Sequence, residues 1–181
     1  PLNEFAWQKL FAERLYQSYA RKYDMDIKIG RLFNTYGPGM TWEEPRAKSV
    51  AALCRKVAEA SDGSEIEIWG DGNQRRSYTY IDDTTKGIWR LMKSECRTPT
   101  NIGYENGISI ADLLDIIAKE ADKTLWPIFV PGPVGVNEIV ADCSKLLRET
   151  GWMPRTSVRQ GIAKTYTWIA KQVLDRARTE A

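Results

Sequence analysis

The run Trp69-Gly70-Asp71-Gly72-Asn73-Gln74-Arg75-Arg76-Ser77-Tyr78-Thr79-Tyr80-Ile81-Asp82 passes through a strand end, a turn, a second strand and a helix start. The alternation Glu65-Ile66-Glu67-Ile68-Trp69 just before it predicts a half-buried strand. Gly70-Asp71-Gly72-Asn73 supplies turn chemistry, because glycine reaches positive φ and Asp or Asn bonds its own backbone. Ser77 to Tyr80 predicts an aromatic-rich strand. Asp82 is the expected N-cap of a helix reaching about Lys93, with Ile88, Leu91 and Met92 turned inward.

The same alternation continues on both sides. Upstream, Asn3 to about Tyr23 predicts a helix, with Trp7, Leu10, Phe11, Leu15 and Tyr19 at helical spacing. Phe5, Ala12 and Tyr16 add apolar surface on its other side, so the helix is expected between its own core and a partner chain. Ile27 to Phe33 predicts a buried strand, ended by the turn residues Asn34 to Gly39. Pro45 is expected to open a second helix through about Ala60, carrying Val50, Leu53, Cys54 and Val57. Downstream, strands are predicted at Thr100-Asn101-Ile102 and Ile128-Phe129-Val130. Ser109 with Asp112, and Ser157 with Gln160, are capping signals. The first precedes Leu113, Leu114, Ile116 and Ile117; the second precedes Val158, Ile162, Tyr166, Ile169 and Val173. A short helix is expected from Ser144 to Thr150, and a frayed tail from Asp175 to Ala181. Helices and short strands alternate throughout, so the class is α/β.

Composition narrows the chemistry. The 181 residues are 43% hydrophobic and 28% charged, which fits a globular chain with a core. Lys and Arg number 26 against 24 Asp and Glu, a balance that gives no reason to expect a nucleic-acid or membrane partner. No apolar run reaches the roughly 18–20 residues of a membrane span, and Pro1-Leu2-Asn3-Glu4 carries no signal pattern. The missing initiator Met is expected from a processed or truncated start. There is no His, which removes His-based triads, and Cys54, Cys96 and Cys143 stand far apart. No metal site is therefore expected, and free thiols point to a reducing, cytoplasmic setting. No glycine-rich phosphate loop follows any predicted strand, so the chain alone is not expected to hold a dinucleotide.

Four stretches carry a further signal: Phe5-Ala6-Trp7-Gln8-Lys9, then Gly30-Arg31-Leu32-Phe33-Asn34-Thr35-Tyr36-Gly37-Pro38, then the Trp69 to Asp82 run, then Pro131-Gly132-Pro133-Val134-Gly135-Val136. In that order they resemble the C-terminal half of the NAD-dependent epimerase/dehydratase family, the extended short-chain dehydrogenases. The likeness runs from Phe5 to about Gln172. Arg46-Ala47-Lys48 resembles the Arg-x-Lys of the 3,5-epimerase branch, which acts on GDP-mannose, so a GDP-sugar is the favoured partner. The resemblance implies that residues 1–38 are the last helix and strand of a Rossmann-type sheet. It implies a sugar-nucleotide-binding part over 39–174 and a tail over 175–181. Family members oxidise C4 of the sugar transiently with bound NAD, which acidifies the neighbouring C–H bonds.

By that resemblance, Lys9 is the Lys of a Tyr-x-x-x-Lys pair, and Phe5 stands at the Tyr position. A phenyl ring exchanges no proton, so the isolated chain is expected to show no turnover. The resemblance places Lys9 and Phe33 beside the cofactor. It makes Lys48 an acid/base lysine whose partner Cys lies outside this sequence; Cys54 reads as a core residue. It assigns Asn34, Gln74, Arg76 and Asn137 to the nucleotide sugar, with Arg76 offering charge-assisted bonds to phosphate. Asn137-Glu138-Ile139 departs from the family, which places arginine there; Glu138 is expected to put negative charge where phosphate should sit. Trp42 and Trp69 are expected to pack rather than to stack on a base. Two further readings share these residues: a non-catalytic nucleotide-sugar-binding module, and a dimerisation remnant built on the first helix. A homodimer through that helix, or association with an N-terminal half, is expected.

Overall fold

The computed structural model describes residues 3–133 and 135–180. Its first helix, α1 (Glu4–Tyr23), starts where Asn3 Oδ1 accepts from Ala6 N at 2.9 Å, and ends at Asp24 in the left-handed region, φ 50°. No residue of α1 is buried. Phe5, Trp7 and Phe11 are each more than half exposed. The expectation that one face packs on the chain's own core is therefore corrected: both apolar faces are open. A forked ion pair ties α1 to the body, with Arg31 Nε and Nη2 at 2.7 and 2.6 Å from the Glu13 carboxylate.

The strands are short and mostly parallel. β1 (Gly30–Leu32) pairs in parallel with β6 (Thr100–Ile102), and β2 (Thr35–Tyr36) in parallel with β5 (Thr79–Tyr80). β3 (Glu65–Trp69) pairs in parallel with β8 (Trp126–Val130). β4 (Arg75–Ser77) lies between antiparallel β7 (Gly107–Ser109) and parallel β9 (Glu138–Ile139). The strand predicted over Ile27 to Phe33 is shorter, and Thr35-Tyr36, predicted as turn, joins a ladder instead. The predicted Ser77–Tyr80 strand starts earlier and divides at Tyr78.

Three long helices pack around one core. They are α2 (Ser49–Glu59), α4 (Ile110–Glu120) and α6 (Val158–Glu180). Leu53, Cys54 and Val57 of α2 meet Leu113, Leu114 and Ile117 of α4 and Ile162 and Ile169 of α6, over Ile66 and Ile68 of β3. Each such buried aliphatic side chain contributes about 1.5–3 kcal/mol. The caps of α4 and α6 form as predicted: Ser109 Oγ accepts from Asp112 N at 3.0 Å, and Ser157 Oγ from Gln160 N at 3.3 Å. The helix does not open at Pro45. Residues up to Lys48 form turns, and Lys48 itself is extended at ψ 167°, so α2 starts at Ser49. Nor does the chain fray after Asp175. It stays helical to Glu180, and Arg176 Nη1 holds Glu43 Oε1 at 2.9 Å.

A second, smaller cluster lies under β1 and β6. Leu91 of α3 (Ile81–Met92) and Leu146 of α5 (Ser144–Thr150) meet Ile102, Cys143 and Trp152 there. Asp82 does not cap α3, whose N-cap is Tyr80 without a side-chain bond. Ile88 and Met92 face outward; the buried face is Asp83, Thr84, Gly87 and Leu91. The reason is the small Gly87, where an added Cβ would stand 2.6 Å from Ile102 Cγ2 and 3.0 Å from Trp152 Cζ3. That close approach sets which face meets the body. Trp69, Trp89 and Trp126 are more than half exposed, as is Trp7. Among the described residues no helix is long and apolar enough to cross a membrane.

Candidate functional site

A cavity of about 340 Å³ opens between the start of α2, the end of β3, β4 and the loop after β8. Ser49, Leu53, Lys56, Trp69, Gln74 and Arg76 are on its wall. The turn at Gly70-Asp71-Gly72-Asn73 makes this wall possible. Gly70 and Gly72 sit at φ 78° and 76°, and Asp71 Oδ1 accepts from Asn73 N at 2.9 Å. The chain reverses there and brings β4 back beside the end of β3.

Gln74 is the most telling wall residue. It is only 7% exposed. Its Nε2 donates to Trp69 O at 2.9 Å, which fixes the amide, and its Oε1 is buried without a partner. Leaving a buried acceptor unmade costs about 1–3 kcal/mol. Beside it, the Arg76 guanidinium donates through Nη1 to Arg75 O at 2.8 Å and Asn137 O at 3.2 Å, and through Nη2 to Val136 O. Lys56 Nζ, the other cation on the wall, donates to Glu67 O at 3.0 Å.

Of the residues assigned in the sequence to the nucleotide sugar, Gln74 and Arg76 are brought together here, while Asn34 and Asn137 lie off the wall. Asn34, at φ 29°, donates through Nδ2 to Ser77 O at 2.9 Å, one residue from Arg76. Asn137 is exposed and takes part through its carbonyl, which accepts from Arg75 N at 2.8 Å. Lys48 is exposed at the head of α2, between the wall residues Ala47 and Ser49. Phe33 packs on the second core, its N–H donating to Ile102 O at 3.1 Å. Lys9 is exposed one turn after Phe5, its ammonium 5.2 Å from the ring centroid. The Glu138 carboxylate faces Arg75 Nε at 3.3 Å and is not on the cavity wall. Lys56 was not foreseen. Its signal is a cation seven residues after Ser49 on α2, at the spacing that shares a helix face.

Burial pushes the Tyr36 and Tyr78 phenols up, so both stay protonated. Cys54, on the core side of α2, is fully buried, and burial pushes its thiol up to about 12. Burial likewise pushes Cys143 up to about 11. The unfolded chain loses both protons near the ordinary value of 9.0, while the folded chain keeps them. Their stabilisation is complete below pH 9 and is lost as pH rises toward 11 to 12. Thermal melts at pH 8 and pH 10.5 test this: the parent should lose more than Cys54→Ala, and equal losses would discard the assignment.

Residues 1–103 match the model of the NAD dependent epimerase/dehydratase family. The chain belongs to that family. Among curated members, it is 36% identical over 173 residues to GDP-mannose 3,5-epimerase 1 of Oryza sativa subsp. indica, covering 96% of this chain and 45% of that protein. It is 31% identical to UDP-glucuronic acid decarboxylase 2 of Arabidopsis thaliana, covering 85% of this chain and 34% of that protein. Of solved structures, UDP-glucuronic acid 4-epimerase from Bacillus cereus, in complex with UDP-glucuronic acid and NAD, matches with a TM-score of 0.82 and 27% identity. That match covers 95% of this chain and 54% of the epimerase. The chain thus spans 34% to 54% of the length of these relatives, and has the α/β fold of the C-terminal part of an extended short-chain dehydrogenase.

The described residues offer NAD a limited fit. A pyrophosphate needs a cradle of backbone N–H groups at a helix start. Gly37, after β2, has Ile81 filling its open side, 2.4 Å from where a Cβ would stand. These residues do not by themselves fit the dinucleotide.

Proposed function

We propose that this chain is the sugar-nucleotide-binding portion of an epimerase of the GDP-mannose 3,5-epimerase kind, without turnover as an isolated chain. The observation that carries the reading is the pairing, on one cavity wall, of the unmade acceptor Gln74 Oε1 with the Arg76 guanidinium. Gln74 accepts from a donor on the nucleoside or the sugar, and Arg76 and Lys56 face the diphosphate. Asn34 holds the chain at Ser77 beside Arg76. Lys48, at the cavity's edge, carries a proton to or from the sugar. Residues 1–38 supply the last helix and strand of a Rossmann-type sheet, and 39–174 the sugar-nucleotide part. NAD, where the whole enzyme binds it, supplies transient oxidation of the sugar. Three buried, unpaired cysteines support a reducing compartment, which we take to be the cytoplasm.

Calorimetric titration with GDP-mannose, UDP-glucuronic acid and a dTDP-sugar tests the reading. GDP-mannose is expected to bind most tightly. Gln74→Ala should weaken it about tenfold, in line with one buried hydrogen bond lost. Silence toward all three sugars removes the proposal. Incubation of the chain with GDP-mannose and NAD in deuterated water should leave the sugar unlabelled, and label at C3 or C5 contradicts the absence of turnover. The non-catalytic binding module predicts the same titration; it is distinguished if the full-length relative of this chain also lacks turnover.

The open aromatic faces of α1 favour association through that helix, with a second copy or with an N-terminal half. Sedimentation should show a dimer that Phe11→Glu converts to monomer. A parent that sediments as a monomer counts against self-association.

A further inference from the structure

The loop after β8 returns to the body over residues 135–140, all of which are exposed. Val136, Ile139 and Val140 keep 37%, 40% and 38% of their surface exposed, so their partial packing shares the anchoring with polar contacts. Arg75 N donates to Asn137 O at 2.8 Å, and the ladder pairs Arg75 with Glu138 and Arg76 with Ile139. The Arg75–Glu138 ion pair is half exposed and adds little. The Arg76 guanidinium gives the charge-assisted bonds, through Nη1 to Asn137 O and through Nη2 to Val136 O. Firm anchoring resumes only at buried Ala141, whose N–H donates to Ser77 Oγ at 2.8 Å.

We infer that the Arg76 guanidinium is a latch holding residues 136–139 onto β4, and that an anionic ligand in the cavity competes with the Val136 and Asn137 carbonyls for it. Arginine binds a phosphate best through two parallel N–H groups. Here Nη1 and Nη2 already carry those carbonyls. A phosphate that takes this edge of the guanidinium releases β9. By linkage, whatever strengthens the latch weakens the anion by the same factor. The ligand half of this inference rests on the nucleotide reading given above; the latch half does not.

Hydrogen exchange followed by mass spectrometry tests both halves on the chain. Without ligand, Arg76→Gln should speed exchange in peptides spanning 136–140 by about tenfold, while peptides from α2 and α4 keep their rates. Arg76→Lys, which keeps the charge and loses the fork, should act in the same direction. Unchanged exchange in a folded variant overturns the latch. With GDP bound, as measured by calorimetry, the same peptides of the parent should exchange faster; slower or unchanged exchange overturns the competition. Failure of GDP to bind removes the nucleotide reading and the competition with it, while the latch stands or falls on the two variants alone.

Discussion

Gly161→Val is expected to cost this chain roughly 3 kcal/mol of folding stability. A Cβ at position 161 would stand 2.1 Å from Tyr36 Oη, 2.8 Å from Tyr36 Cζ and 3.0 Å from Tyr80 Cδ2. Tyr36 cannot swing away. It is 2% exposed, its hydroxyl donates to Val158 O at 3.2 Å, and its ring lies edge-on to those of Tyr78 and Tyr80 at 6.2 and 5.9 Å. Alanine in place of a helical glycine gains about 1 kcal/mol in propensity. Overpacking of a tight core costs about 1–3 kcal/mol, and valine adds two further methyl groups. We expect a loss of roughly 3 kcal/mol for valine, against a total of about 5–15 kcal/mol for ordinary domains. Urea unfolding followed by far-ultraviolet circular dichroism measures it. Tyr36→Phe removes the nearest atom and should rescue part of the loss in a Gly161→Ala background. A Gly161→Ala chain as stable as the parent would discard this account.

The second large effect belongs to Asp83. Its Oδ2 accepts from Arg155 N at 3.0 Å and Thr156 N at 2.7 Å, which pins the segment entering α6 onto α3. The residue is 8% exposed. Asp83→Ala leaves two inward N–H groups unpaired and should cost about 2–4 kcal/mol. Asp83→Asn keeps one acceptor oxygen and should fall between. Asp82→Ala, one residue away and exposed, should stay within about 0.5 kcal/mol. Urea midpoints of the three variants decide the matter, and equal losses for Asp82→Ala and Asp83→Ala would set it aside.

That pair of aspartates also shows how far the sequence could be read. A helix soon after Tyr80 was legible, though Asp82 was expected to cap it and does not, and the partners of Asp83 lie more than seventy residues on and leave no local trace. The same division holds elsewhere. Ser109 and Ser157 act within three residues, and both caps form where predicted; Asn3, read as the first residue of the helix, caps α1 instead. Strand β3 follows from its own alternation. Strands β7 and β9 do not, because each exists only through its register with β4. Of the residues expected inward on α3, Leu91 is buried while Ile88 and Met92 are exposed. The deciding residue was the smallest one, Gly87, through its fit against Ile102 and Trp152.

The candidate site divides likewise. Gln74 and Arg76 sit in a compact motif two residues apart, and the chain reversal at Gly70–Asn73 brings both to one wall. Lys9 and Phe5 share one turn of α1, as their spacing requires. What spacing did not disclose was the neighbour of Glu138. Its charge looked harmful to a phosphate when only its place in the chain was considered. The strand register instead sets it opposite Arg75.

The distribution of indole groups bears on how all these variants are followed. Of seven tryptophans, only Trp152 is buried, while Trp7, Trp69, Trp89 and Trp126 are more than half in water. Their emission is already that of a hydrated indole in the folded state, so the wavelength maximum of intrinsic fluorescence should hardly move on denaturation. Trp152 would carry most of what shift there is and reports on the smaller core, while the partly buried Trp42 and Trp168 report on the larger one. Trp69, standing at the mouth of the cavity, is better placed as a quenching probe for an occupant than as a gauge of unfolding.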